Sequence, residues 1–367
     1  MIMVAHSKSG LECKKIRAPK VIKAGCDFSG LGTLSTALKR MLPSHKFIMK
    51  FQADKLPEAR ALAEHSQEKT KIFYDDVLDR ELAEVPYTDV YVWTPPCQSF
   101  SMAGRKQGVK DPRGQLLAVG VKYVVQHKPR LAILENVKNL YSKKHLPVVK
   151  GVTKALKEAG YKVHWKVVRA SDFQVPQDRD RLFMVAIHTS SLRCEFTWPE
   201  PRTPKVYLAD ILDDFNTDTD CAGRMPATKR QKSCMKAACA QVHKSGTDPL
   251  KVPVAIDVDC TNKFRVYGVN IAKTLTRSRG GSGGPWLSTR GRRTTSNELM
   301  RIMGFKSNEI PWKAAGLSKT KLGHMLGNAV PVPVLGCILQ EAMYSAGLVR
   351  DKPNFPYTKF SLRSDAD

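Results

Sequence analysis

The stretch "VWTPPCQSFSMAGRKQG", residues 92–108, sets a cysteine directly after two prolines at the end of an apolar run. The apolar "VYVWT" reads as a short buried strand. Pro95 and Pro96 stop it, and Gly104 and Gly108 with Arg105 and Lys106 make a flexible basic loop beyond. Cys97 therefore stands where a strand hands over to a loop. A lone cysteine is commonly no more than a small core residue, so its meaning depends on what the chain gathers around it.

On either side of this stretch, residues 21–188 alternate apolar strand-like runs with amphipathic helical ones. The strands are "VIKAGCDF", "KFIMKFQAD", "KIFYDDV", "DVYVWT", "LAILEN", "KVHWKVV" and "RLFMVAI". Helical segments such as "TLSTALKRML", "PEARALAEHS", "GQLLAVGVKYVVQHK" and "LPVVKGVTKALKEAG" separate most of them. This is the βαβ rhythm of a parallel, doubly wound sheet, in which ligands bind at the carboxyl ends of the strands. From about 197 the rhythm gives way to "WPEPRTPK", "DDFNTDTD" and "RMPATKRQKSC", read as a second, smaller and irregular lobe. Helical patterning returns after about 293 in "SNELMRIMGF" and "KLGHMLGNAVPVPVLGCILQEAMYSAG". The expected division is a basic tail 1–20, a sheet domain 21–196, a lobe 197–291, a return to the sheet domain 292–350 and a tail 351–367, with no internal repeat.

The 367 residues hold 60 Lys and Arg against 34 Asp and Glu, a net charge of +26. So large an excess favours a polyanionic partner, most simply nucleic acid, bound through phosphate neutralisation and counterion release. The opening "MIMVAHSKSGLECKK" has too short an apolar run for a signal peptide, and no uncharged apolar stretch is long enough to span a bilayer. An intracellular protein without a membrane partner is expected. Nine scattered cysteines without a CxxC pair suit reduced thiols rather than a disulfide framework.

The strand ends carry the chemistry. The first closes in "DFSGLGT", where Gly30 and Gly32 let backbone approach a ligand before a helix begins. The second ends in Asp54, the position that holds a ribose hydroxyl pair in nucleoside-binding sheets. The third ends in "YDDV", which brings Asp76 within reach of an adenine amino group. Glu135 closes the apolar "LAIL" run, where a carboxyl is expensive to bury without a task or a partner. Arg179 and Arg181 alternate on the chain entering "LFMVAI", so both face one side and present two cationic forks toward a carboxylate or phosphate.

With these motifs in order, the chain resembles the DNA cytosine-5 methyltransferase family, over about residues 21 to 347. The motifs are "DFSGLG", "PPCQSFS", "ENV", "QDRDR", "TTSNELMRIMGF" and "GNAVPVPVL". The resemblance implies an α/β fold of the S-adenosylmethionine-dependent methyltransferase (Rossmann-like) type, with a mixed sheet and a target-recognition domain in the lobe. It implies double-stranded DNA as substrate, S-adenosyl-L-methionine as cofactor and no metal, in a monomer of the compact bacterial, phage or viral type. The sequence names neither a recognition site nor a cognate restriction endonuclease.

By motif matching, Cys97 corresponds to the nucleophile that adds to carbon 6 of a flipped-out cytosine. Glu135 corresponds to the residue that engages ring nitrogen 3 and the exocyclic amine, and Arg179 and Arg181 to the pair that supports them. Gln98, Ser99 and Gln177 fall in the same motifs and are expected at the target base. Phe28, Gly30, Leu31, Gly32, Asp54, Asp76, Val77, Pro95, Asn328 and Ala329 are expected at the cofactor. There are departures. The family usually has Asp where this chain has Cys26, with Asp27 beside it. Lys55 replaces an aromatic that often follows the ribose-binding acid, and Gln52 is an alternative register for Asp54. Two other readings are a tRNA cytosine-5 methyltransferase, whose usual Cys-Phe-Thr signature is missing, and an inactive DNA-binding homologue, in which Cys97, Glu135, Arg179 and Arg181 would have no use. In the lobe, Cys234, Cys239 and His243, with Cys221 and Cys260 nearby, match no standard zinc finger and read as a helix with incidental thiols.

Overall fold

The computed structural model describes residues 14, 16–66, 69–96, 112–214, 226, 228–260 and 266–356. The first eight strands are β1 (Ile22–Asp27), β2 (Phe47–Ala53), β3 (Ile72–Tyr74), β4 (Val90–Trp93), β5 (Leu131–Val137), β6 (Tyr161–Arg169), β7 (Gln177–Asp178) and β8 (Asp180–His188). Seven of them form one sheet in the order β3-β2-β1-β4-β5-β8-β6. The helices that cross over it are α1 (Thr33–Met41), α2 (Pro57–His65), α3 (Pro112–His127) and α4 (Leu146–Glu158). The central strand β4 is buried at every position and β5 at all but its last, as expected where both faces of a sheet are covered.

β1 to β5 run parallel, but β8 is antiparallel to both β5 and β6. The sheet is therefore mixed, which corrects the all-parallel reading of the rhythm and agrees with the fold the family resemblance implies. The cause is local: residues 170–179 between β6 and β8 contain no α-helix to carry a crossover, so the chain turns back on itself.

The lobe is more ordered than its composition suggests. α5 (Lys229–Lys244) begins at a Thr228–Gln231 capping box. β9 (Val254–Ile256), β10 (Tyr267–Val269), β12 (Trp286–Leu287) and β13 (Arg292–Arg293) make a four-stranded antiparallel sheet in the order β10-β9-β12-β13. Alternation along β9 gives this sheet two faces. Val254 and Ile256 pack with Cys234, Ala238 and Val242 of α5, and Ala255 packs with Leu208, Ile211 and Leu287. β11 (Ala272–Lys273) leaves this sheet to pair with β7, and Lys273 Nζ lies 2.8 Å from Asp178 Oδ2. α6 (Arg277–Gly281) follows.

The chain then returns to the main sheet through α7 (Ser296–Ile302), α8 (Lys319–Asn328) and α9 (Val332–Ser345). The long helical pattern after Lys321 splits into α8 and α9 because Pro331 and Pro333 can begin a helix but not continue one. Leu326, Ile338 and Leu339 join Leu34 and Leu38 over one face of the sheet, while Tyr123, Val124 and Leu156 cover the other. No single helix among the described residues is long and apolar enough to cross a membrane.

One irregularity shapes the centre of the sheet. The β1–β2 register shifts between Ala24 and Gly25, whose partners are Met49 and Phe51. Phe51 thereby turns to the face opposite Met49, and a Cβ on Gly25 would lie 2.5 Å from its ring. Gly25→Ala should therefore cost about 1–3 kcal/mol of stability through overpacking. Urea denaturation monitored by tryptophan fluorescence measures it, and an unchanged midpoint would show that the ring can move aside.

Candidate active site

The carboxyl ends of β1, β2, β4 and β5 open into one cavity of about 450 Å³, a size suited to a small-molecule ligand. After β1 the chain turns through left-handed backbone at Phe28 (φ 59°), Gly30 (φ 50°) and Gly32 (φ 74°), and α1 starts from Gly32. Phe28 in that region is costly for a bulky side chain. Its carbonyl accepts a hydrogen bond from Thr94 Oγ1 at 3.0 Å, and the next amide donates to the Ala53 carbonyl at 3.0 Å.

Asp54 locks this turn to the end of β2. Its Oδ2 accepts from the Gly30 amide at 2.8 Å and its Oδ1 from the Leu56 amide at 2.9 Å. Burial raises the Asp54 pKa against the pull of these two donors. Gln52 points elsewhere: its Nε2 donates to Thr70 Oγ1 at 2.8 Å, and it does not line this cavity. Asp54 is thus the register that faces the ligand space. Beyond β3, Asp76 accepts from Lys55 Nζ at 2.8 Å and from the Leu78 amide at 3.0 Å, and these bonds, the Lys55 one first, lower its pKa. Lys55 thus joins the ends of β2 and β3 through an exposed ion pair beside the cavity.

At the end of β4, Pro95 is buried and its carbonyl accepts from Asn136 Nδ2 at 3.2 Å, while Pro96 also lines the cavity. Cys97, Gln98 and Ser99 lie outside the described residues. Glu135, at the end of β5, is 7% exposed. Arg181 Nε stands 3.2 Å from its Oε1. Burial raises the Glu135 pKa, opposed by the nearby charges of Arg181 and then Arg179.

Arg179 also lines the cavity, but its guanidinium is directed at main-chain oxygens. Nη1 donates to the Leu275 carbonyl at 2.8 Å and Nη2 to the Ala329 carbonyl at 2.9 Å, with the Gly327 carbonyl at 3.4 Å from both. Gln177, expected at the target base, is fully buried away from the cavity. Its Nε2 reaches the Ile302 carbonyl at 3.3 Å and Met303 Sδ at 3.2 Å, and its Oε1 accepts from the Leu275 amide at 3.1 Å. The reason is that the side chain points toward the α7 end of the sheet domain, where main-chain groups need partners.

Of the cofactor set, Phe28, Gly30, Leu31, Asp54, Asp76, Val77, Pro95, Asn328 and Ala329 line this one cavity together with Glu135, Arg179 and Arg181, whereas Gly32 does not. Sequence reasoning missed Arg277, which reaches the wall from the lobe, and gave Cys26 no place in it. Burial, with the charges of Asp27 and Asp54, pushes the Cys26 thiol well up, which makes it an inert wall group rather than a nucleophile. In the lobe, Cys234 Sγ lies 3.6 Å from Cys260 Sγ, and Cys221 falls outside the described residues. Among the described residues no three His, Cys, Asp or Glu side chains gather as a metal site.

Comparison with known proteins gives this arrangement a family. The family model described as C-5 cytosine-specific DNA methylase matches residues 28–343. Type II methyltransferase M.MthTI of Methanothermobacter thermautotrophicus is 38% identical over 133 residues, 36% of this chain and 40% of that protein, so the match spans less than half of that relative. Type II methyltransferase M.Bsp6I of Bacillus sp. (strain RFL6) is 28% identical over 301 residues, 77% of this chain and 87% of that protein. Among solved structures, Entamoeba histolytica methyltransferase EhMeth shares the fold, with a TM-score of 0.64 at 17% identity, covering 89% of this chain and 99% of that one. The family match runs from the glycine turn to α9 and takes in every strand of the main sheet but β1. The chain belongs to the C-5 cytosine-specific DNA methylase family, whose methyl donor is S-adenosylmethionine.

Proposed function

We propose that this chain methylates carbon 5 of cytosine within a specific sequence of double-stranded DNA, acting on a base flipped out of the helix and bonded transiently to Cys97. One observation carries the reading: a single cavity joins Asp54 and Asp76 to Glu135 and Arg181, and its wall includes Pro96, the residue before Cys97. The residues fit the donor. Asp54 would hold the ribose hydroxyls, Asp76 with Val77 the adenine, and the turn at Phe28 and Gly30, with Asn328 and Ala329, the remainder. When bound, S-adenosylmethionine supplies an electrophilic methyl group.

Carbon 5 of cytosine is a poor nucleophile until a thiolate adds at carbon 6 and a proton at nitrogen 3 completes an enamine-like ring. Cys97 adds at carbon 6. Glu135 holds the proton: burial favours its neutral form, which is a donor, and Arg181 keeps it oriented. Once carbon 5 carries the methyl group, its hydrogen leaves as a proton to solvent, the electron pair expels the Cys97 thiolate, and the proton on nitrogen 3 returns to Glu135, which restores the ring. Flipping the base costs a few kcal/mol of stacking, offset by contacts in the pocket and by phosphate contacts to a chain of net charge +26. The lobe of residues 197–291 reads the target sequence, since the cofactor and catalytic motifs lie outside it.

Fluorine at carbon 5 of the target cytosine leaves no proton to remove, so the enzyme should stay bonded to such DNA when S-adenosylmethionine is present. A denaturing gel should show a shifted band that Cys97→Ala loses and Glu135→Gln forms far more slowly. A band that persists in Cys97→Ala would defeat the mechanism. Exchanging residues 197–291 for those of a relative should move the methylated sequence, read by methylation-sensitive sequencing, and retention of the original site would refute the assignment of the lobe.

The proton on Glu135 also has a stability signature. Its folded pKa lies above the unfolded value, so the stability tied to the neutral form is present below the unfolded pKa and is lost as pH rises through the folded one. Glu135→Gln should therefore gain stability relative to the parent on going from about pH 4, below the unfolded pKa, to about pH 8. Melting temperatures at both pH values test this, and a difference independent of pH would contradict it.

A further inference from the structure

The loop after β3 carries Asp76 and Val77, and its outer fastenings are exposed. The Lys55 side chain that pairs with Asp76 is 85% accessible, and the Asp75 side chain that pairs with Arg60 is 72% accessible. Arg80, at the far end of the loop, is held quite differently. Its Nη1 donates to Asp27 Oδ1 at 2.7 Å and its Nη2 to Asp27 Oδ2, with the two side chains 3% and 0% exposed. The Tyr91 hydroxyl donates to the same Oδ2 at 2.6 Å. The guanidinium carbon lies 5.4 Å from the centre of the Phe51 ring and 5.2 Å from that of Tyr74, within cation–π range. Asp27 immediately precedes Phe28, the left-handed residue that opens the glycine turn.

We infer that Arg80 is a positioning residue for the cofactor: through Asp27 it ties the loop of Asp76 and Val77 to the glycine turn and so sets the distance between the two ends of the binding site. This rests on the reading of the cavity as an S-adenosylmethionine site. The displaced acid of the glycine motif thereby acquires a use. With Cys26 at the cavity wall, Asp27 faces the aromatic side of the sheet, where only a paired carboxylate is tolerable. A bidentate guanidinium fixes two segments in a way a lysine ammonium cannot. Arg80 is fastened on the sheet face opposite the cavity and has no place in its wall. Its loss acts on cofactor affinity and leaves the groups around Glu135 in place.

The test is steady-state methylation of DNA by the full chain, with calorimetric binding of S-adenosylmethionine, for Arg80→Met, Arg80→Lys and the double variant Asp27→Asn/Arg80→Met. KM and Kd for S-adenosylmethionine should rise by about tenfold to a hundredfold in Arg80→Met and less in Arg80→Lys, while kcat at saturating cofactor and KM for DNA stay within about threefold. The double variant buries no unpaired charge and should recover melting temperature without recovering affinity. A folded double variant that binds as tightly as the parent would show the pair to be structural only and overturn the inference. If Arg80→Met does not fold, the double variant and Arg80→Lys decide, and parental affinity in either overturns it. A parent chain that binds no S-adenosylmethionine would instead sink the functional reading itself.

Discussion

A carboxyl group kept from water beside two guanidinium groups sets the character of this protein's site. Glu135 closes β5, a strand buried nearly to its end, so its charge is disfavoured by desolvation and favoured by Arg181 and Arg179. Held between the two, the carboxyl is pushed toward its neutral form by burial while the arginines pull it back toward the charged one. That balance needs β8 to run antiparallel beside β5, because only then does Arg181 fall opposite Val137 and reach back to the carboxyl.

The order of strands arranges the remaining groups along one edge. Reading across β3-β2-β1-β4-β5-β8, the edge presents Asp76, Asp54, Gly30, Pro95 with Pro96, Glu135 and Arg181. In the proposed function this is also the order adenine, ribose, methionine, nucleophile, target base. A long substrate pair is laid out by topology, with each strand contributing one contact. The cost is precision at the turns: Phe28 must hold a backbone conformation its side chain opposes, and the Asp54 carboxylate spends a hydrogen bond on each of two loops.

Much of this was legible in the sequence because period and punctuation act locally. The seven apolar runs all became strands of the main sheet, and Asp54, Asp76 and Glu135 sit at strand ends as their positions in those runs implied. What was illegible depended on distant partners. Gln177 and Arg179 were assigned by motif, and no local pattern shows that Gln177 meets the Ile302 carbonyl, Met303 Sδ and the Leu275 amide, or that Arg179 meets the carbonyls of Leu275, Gly327 and Ala329. The pairing of Asp27 with Arg80 spans 53 positions, and no local pattern marks it. The small sheet of the lobe was hidden because its strands are two or three residues long, too short for alternation to register.

The clasp on Leu275 reaches further than the geometry of one site. Gln177 takes its amide hydrogen and Arg179 its carbonyl, β11 joins β7 through main-chain bonds, and Gly280 of α6 meets Gly323 of α8 with no room for a Cβ on either. At Leu275 and along β11 the lobe is held through its peptide atoms, with the Lys273–Asp178 ion pair beside them, whereas the α6–α8 contact demands glycine at both positions. In the proposed function, joints made through the main chain let the part of the chain that reads DNA vary while the part that carries the chemistry is kept.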